Sequence, residues 1–78
     1  MTSASDRSEE TKNWFFRARQ EWIAEMVRIY GFINREHLCR KFGISTPQAS
    51  HDLKYFQQHH PRAMKYNTQL KRYEEVAR

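Results

Sequence analysis

Near the middle of the chain, Thr46, Pro47, Gln48, Ser50 and His51 form a run of compact or polar residues, followed by one base, Lys54. If this stretch is helical, steps of about 100° per residue set Ala49, Leu53 and Phe56 on one face. Pro47, His51, Lys54 and Gln58 then point the other way, with Gln48 and Ser50 on the flanks. These are groups that read base edges. A glutamine amide pairs bidentately with adenine N6 and N7, and serine and histidine donate or accept at several bases. Thr46 adds a hydroxyl and a methyl group. Gln48 equally suits the third position of a helix-capping box, and the two roles can coexist. Lys54, Arg40 and Lys41, with Arg35 and Ser45, fall where phosphates would flank such a helix and set its register. Further on, Lys65, Lys71 and Arg72 would meet the backbone or an adjacent minor groove.

The elements that must position these groups are legible in outline. Residues 1–11 are small and polar and are expected to form a flexible tail ahead of a domain over 12–78. From Lys12 the pattern turns helical, with Phe15, Ala18, Trp22, Ile23, Met26, Val27 and Tyr30 as the apolar stripe. Arg17, Arg19, Gln20, Glu21, Glu25 and Arg28 make its wet face, and Gly31 ends it. Trp14 and Phe16 lie off that stripe, and Trp14, Phe15 and Phe16 are candidate contacts of a dimer. After Phe32-Ile33, Asn34 caps a short helix over 35–42 that buries Leu38 and Phe42 and stops at Gly43. Ser45 caps the next helix, with Pro47 in its first turn and Pro61 closing it near His60. Two short strands, Met64 to Tyr66 and Leu70 to Tyr73, form a hairpin around Asn67-Thr68-Gln69.

Composition narrows the function further. A 78-residue chain makes one small domain, too short for a Rossmann half, a barrel or a multi-domain catalytic cleft. With 38% hydrophobic and 14% aromatic residues it is globular, despite a mean hydropathy of −1.02. One cysteine excludes an internal disulfide framework and points to a reducing compartment. No apolar run nears a membrane span and no signal peptide opens the chain, so a cytoplasmic location is expected. The net charge is +5, and seven bases between Arg40 and Arg72 face the single acid Asp52. That imbalance is the footprint of a polyanionic partner.

Two adjacent short helices, a long helix before them and a basic hairpin behind give a mainly α fold: three helices and a wing, a winged helix-turn-helix. The expected function is sequence-specific binding of double-stranded DNA, with the recognition helix over 45–60 in the major groove and the wing over 63–76. A different use of the same fold is protein interaction, the basic face meeting an acidic partner. The outer face separates the two, because protein hot spots favour tryptophan, tyrosine and arginine, and of these it carries only Tyr55. Metal binding is not expected. His37 and Cys39 face opposite ways on their helix, and the adjacent pair His59-His60 lacks closed-zinc spacing. Without a cleft or a glycine-rich phosphate cradle, no catalysis, cofactor or small-molecule site is expected.

The run GFINREHLCRKFGISTPQASHDLKYF, followed by HPRAMKYNTQLKRY, resembles the N-terminal winged helix of BrxR/CapW-like WYL-domain transcriptional regulators, bacterial repressors associated with phage-defence loci. Gly31, Ile33-Asn34-Arg35, Leu38, Phe42, Ile44-Ser45, Gln48-Ala49-Ser50, Asp52-Leu53, Pro61, Tyr66, Lys71 and Tyr73 carry the likeness, which covers about residues 14–73. More loosely, SxxQASxDL is similar to the SxxTxRRDL helix of DeoR-type repressors, with Ser50 and His51 in place of two arginines. The resemblance implies a nucleoid-associated homodimer on an inverted repeat, usually repressing. It does not extend to the ligand-sensing WYL region, so it implies no effector site here.

Overall fold

The computed structural model describes residues 4–76. In chain order it contains α1 (Ala4–Tyr30), β1 (Phe32–Ile33), α2 (Arg35–Phe42), α3 (Thr46–His59), β2 (Met64–Asn67) and β3 (Arg72–Glu75). The three strands form one antiparallel sheet in the order β1-β3-β2. This is the winged helix-turn-helix architecture, with the strand β1 added to the expected hairpin.

Helix α1 spans 27 residues, about 40 Å at 1.5 Å per residue. It begins at Ala4, so residues 4–11 are helical where a flexible tail was expected. Residues 1–3 and 77–78, the outer ends of the tail and of the expected 12–78 domain, lie outside the described residues. No glycine or proline interrupts the chain before Gly31. Once nucleated, such a helix gains one hydrogen bond for each residue added. Gly31, at φ 83°, donates to the Val27 carbonyl and turns the chain into β1.

The shorter helices follow their caps. The Asn34 side chain accepts from the His37 N–H, and the His37 ring accepts from the Asn34 N–H in return. Gly43, left-handed at φ 65°, closes α2 by donating to the Cys39 carbonyl. Ser45 caps α3 by accepting from the Gln48 N–H, with Pro47 in the first turn. The expected capping box is half-formed, because the Gln48 side chain turns to Asp52 and not back to Ser45.

The core is a single cluster. Ile23 and Val27 of α1, Ile33 of β1, Leu38 of α2, Ala49, Leu53 and Phe56 of α3 and Met64 of β2 are all buried. Burying one such large side chain contributes about 1.5–3 kcal/mol. Trp22 meets Phe42 edge-on at 5.6 Å at its margin, and Cys39 packs against it. Two ends of the expected stripe are corrected, since Phe15 and Tyr30 are exposed and Phe16 turns inward onto Tyr55. Phe16, Gln20, Ile23 and Val27 share a face at steps of four, three and four, which is the true inner line of α1.

The hairpin register also departs from expectation. Tyr66 pairs with Tyr73 and Asn67 with Arg72, so the second strand starts at Arg72 and Leu70 stands exposed in the loop. Asn67 causes this. Its Oδ1 accepts from the N–H groups of both Gln69 and Leu70, and Lys71 then exits the turn at φ 54°. The sheet closes through β3, whose Glu75 N–H donates to the Gly31 carbonyl.

Candidate nucleic-acid interface

Helix α3 buries Ala49, Asp52, Leu53 and Phe56, so the opposite face is fixed. Thr46, Pro47, His51 and Lys54 are exposed on it, and Gln48 and Ser50 are half-buried at its edges. The fold therefore presents all five proposed base-reading residues along the first half of α3.

Between that half of α3, the start of α2 and the wing lies an open groove of about 530 Å³. Arg35, Lys54, Lys71 and Arg72 supply four positive charges to its walls against the one acid Glu36. Ser50, Tyr66 and Tyr73 line it as well. Arg35 leans toward the helix, its Nη1 3.5 Å from the Ser50 hydroxyl. Burial raises the Tyr73 phenol above its ordinary pKa, the Tyr66 ring adds to that, and Arg35 opposes it. The phenol therefore stays neutral, a donor among cations.

The basic residues are not equivalent. Lys54, Lys65 and Lys71 are exposed and, among the described residues, without an ion pair. Arg72 is held in place. Its guanidinium donates to Glu74 at 2.8 Å and sits 4.3 Å from the Phe32 ring centre. Glu74 is pinned by the Asn67 amide and by Arg72, and these bonds hold its carboxyl below the usual range. Ser45 is engaged as the α3 cap. Arg40 stands 3.8 Å from Glu36, both ends exposed, beside a cleft that Thr46 shares. Lys41 is not brought to the α3 groove; it lines a separate trough between α1 and α2.

Sequence reasoning missed the group that holds α3 in place. Asp52 is fully buried, and its carboxylate accepts from Arg19 Nε at 2.5 Å and from Gln48 Nε2 at 2.9 Å. Arg19 Nη2 lies 3.4 Å from the other oxygen, and Gln20 donates to the Asp52 carbonyl at 2.9 Å. Arg19 and Gln20 are thus not part of a wet face. The signal was present: Gln20 sits three residues before Ile23, Arg19 sits four before it, and Asp52 sits between core positions of α3. Donating one amide N–H to Asp52 leaves Gln48 its carbonyl oxygen and a second N–H. The proposed dimer contacts divide. Trp14 and Phe15 are 58% and 50% exposed and touch edge-on at 5.0 Å. Phe16 is instead committed within the chain, edge-on to Tyr55 at 4.8 Å.

Among the described residues no helix is long and apolar enough to cross a membrane. A comparison with curated proteins returns no match. A family model described as the BrxR transcriptional regulator winged helix-turn-helix domain matches residues 16–78, which takes in α2, α3, the wing and most of α1. With its capped α3, its wing and a match over most of its length, the chain belongs to the BrxR family of transcriptional-regulator winged helix-turn-helix domains.

Proposed function

We propose that the chain binds double-stranded DNA with sequence specificity and represses transcription, with α3 in the major groove and the wing on the flanking backbone. The observation that carries this reading is the layout of α3. Its exposed first half bears uncharged donors and acceptors, and the wall beside it bears Arg35, Lys54, Lys71 and Arg72. Gln48, Ser50 and His51, with Thr46 and Pro47, read base edges. Lys54, Lys65 and Lys71 contact phosphates, and Arg35 and Arg40 reach the strand beside α2. Arg72, fixed over Phe32, acts as an immobile charge facing the groove.

One such domain covers about one half-site, so two copies on an inverted repeat supply the affinity of a specific regulator. Trp14 and Phe15, exposed on α1, are the residues through which we expect the copies to meet. The test is selection from a randomised duplex pool at near-physiological salt, followed by sequencing of the bound fraction. Enrichment of an inverted repeat supports the reading. An unenriched pool refutes sequence-specific binding by this chain.

A further inference from the structure

The trough that takes in Lys41 lies apart from the DNA groove and has a different chemistry. Helix α1 meets α2 through Trp22 on Phe42, and beside that contact lies an opening of about 490 Å³. Its floor is apolar: Trp22, Met26 and Phe32 are half-buried there, and Tyr30 is 67% exposed at one end. Among the described residues, the polar groups at its edge are His37, Arg40 and Lys41, with no acid. His37 accepts the Asn34 N–H at Nδ1, so its neutral ring carries the proton on Nε2 and is a donor there. Arg40 has only a solvent-exposed contact with Glu36 at 3.8 Å, and Lys41 has no ion pair among the described residues. The opening therefore combines an unfilled aromatic floor with a rim that donates hydrogen bonds and carries two positive charges.

We propose that this trough docks an acidic amphipathic helix of a partner protein. Its apolar side chains would lie on Trp22, Met26 and Phe32, and its carboxylates on Arg40 and Lys41. Charge complementarity selects the occupant, since a basic or neutral helix would leave both cations unpaired against it. The opening is shallow and unenclosed, which suits the apolar face of a helix better than a small ligand, since a small ligand binds best where most of its surface is enclosed. The inference does not depend on the DNA reading, because of the trough's residues only Arg40 is shared with the proposed DNA interface.

The test is a ¹H–¹⁵N correlation titration of the intact chain with a synthetic peptide. The peptide carries leucine at i, i+3, i+4 and i+7 and glutamate at the flanking positions. Saturable shifts at the Trp22 indole, Met26, His37 and Lys41 are expected. Lys41→Glu should weaken binding about tenfold, the effect of turning a rim attraction into a repulsion. A peptide with lysine in place of glutamate should bind the wild-type chain more weakly and regain affinity for Lys41→Glu. Tyr30→Ala, at an exposed site that leaves the core intact, should also weaken binding. The proposal fails if the shifts do not saturate, if they centre on the α3 groove, or if both peptides bind the wild-type chain equally. It fails too if 4-phenylbutyrate fills the trough and the peptide does not.

Discussion

Truncating Asp52 tests whether the buried pair with Arg19 ties α1 to α3. Asp52→Ala removes the acceptor of two Arg19 contacts and of the Gln48 amide, while the Gln20 bond to the residue 52 carbonyl survives. Leaving one partner of a buried ion pair uncompensated costs about 3–5 kcal/mol. Arg19 keeps 13% of its side chain exposed, which places the expectation at the lower end, about 3 kcal/mol. A domain of this length has roughly 4–12 kcal/mol of stability in all, so the loss is severe. The thermal midpoint should fall by about 12–24 °C, at 4–8 °C per kcal/mol for a small domain. Urea and thermal unfolding followed by far-ultraviolet circular dichroism measure both quantities. The double variant Arg19→Met/Asp52→Leu, which replaces the pair with apolar side chains, should recover to within about 1 kcal/mol of wild type. A loss below about 1 kcal/mol for Asp52→Ala would refute the reasoning. So would additive costs, within about 0.5 kcal/mol, in a cycle of Arg19→Met and Asp52→Ala.

Lys71→Ala should weaken binding to all duplexes alike and reduce the salt slope by about one, measured by fluorescence anisotropy across a salt series. A loss confined to one sequence would make Lys71 a base reader. His51→Ala should relax base preference at one or two operator positions, and an unchanged binding-site logo would remove His51 from that role. Glu74, whose folded pKa is lowered, contributes stability that is present above its unfolded value of about 4.3 and is lost as pH falls through the lower folded value. Thermal midpoints below about pH 4 should therefore drop less steeply for Glu74→Gln than for wild type. Gly43→Ala meets no atom within 4 Å but sits at φ 65°, so chemical denaturation should show a backbone penalty of about 1 kcal/mol.

The parts of the fold legible in the sequence were those set by short-range chemistry. Helix α2 runs from Arg35 to Phe42 as expected, because Asn34 and Gly43 satisfy its ends locally. Ser45, Pro47 and Pro61 likewise bracket α3, and its inner face follows from the spacing of Ala49, Leu53 and Phe56. What escaped depends on partners distant in the chain. Strand β1 is two residues that pair only with β3, and no local pattern announces it. Arg19 and Gln20 looked solvated because they are polar, yet their partner Asp52 lies more than thirty positions away. Arg72 looked like a free cation until the fold placed Phe32 beneath it and Glu74 beside it. The outward placement of Thr46, Pro47 and His51 was foreseeable because helical geometry alone turns those residues away from the core. The division between Lys54 and Lys41 was not, since it depends on where α1 lies.

The most direct test of the central claim is to map the chain's amide shifts on adding the duplex selected from the random pool. Binding through α3 and the wing predicts large changes from Thr46 to Lys54 and from Lys65 to Arg72, with the α1–α2 trough at Trp22 and Met26 unmoved. Changes centred on the trough, with α3 silent, would contradict it.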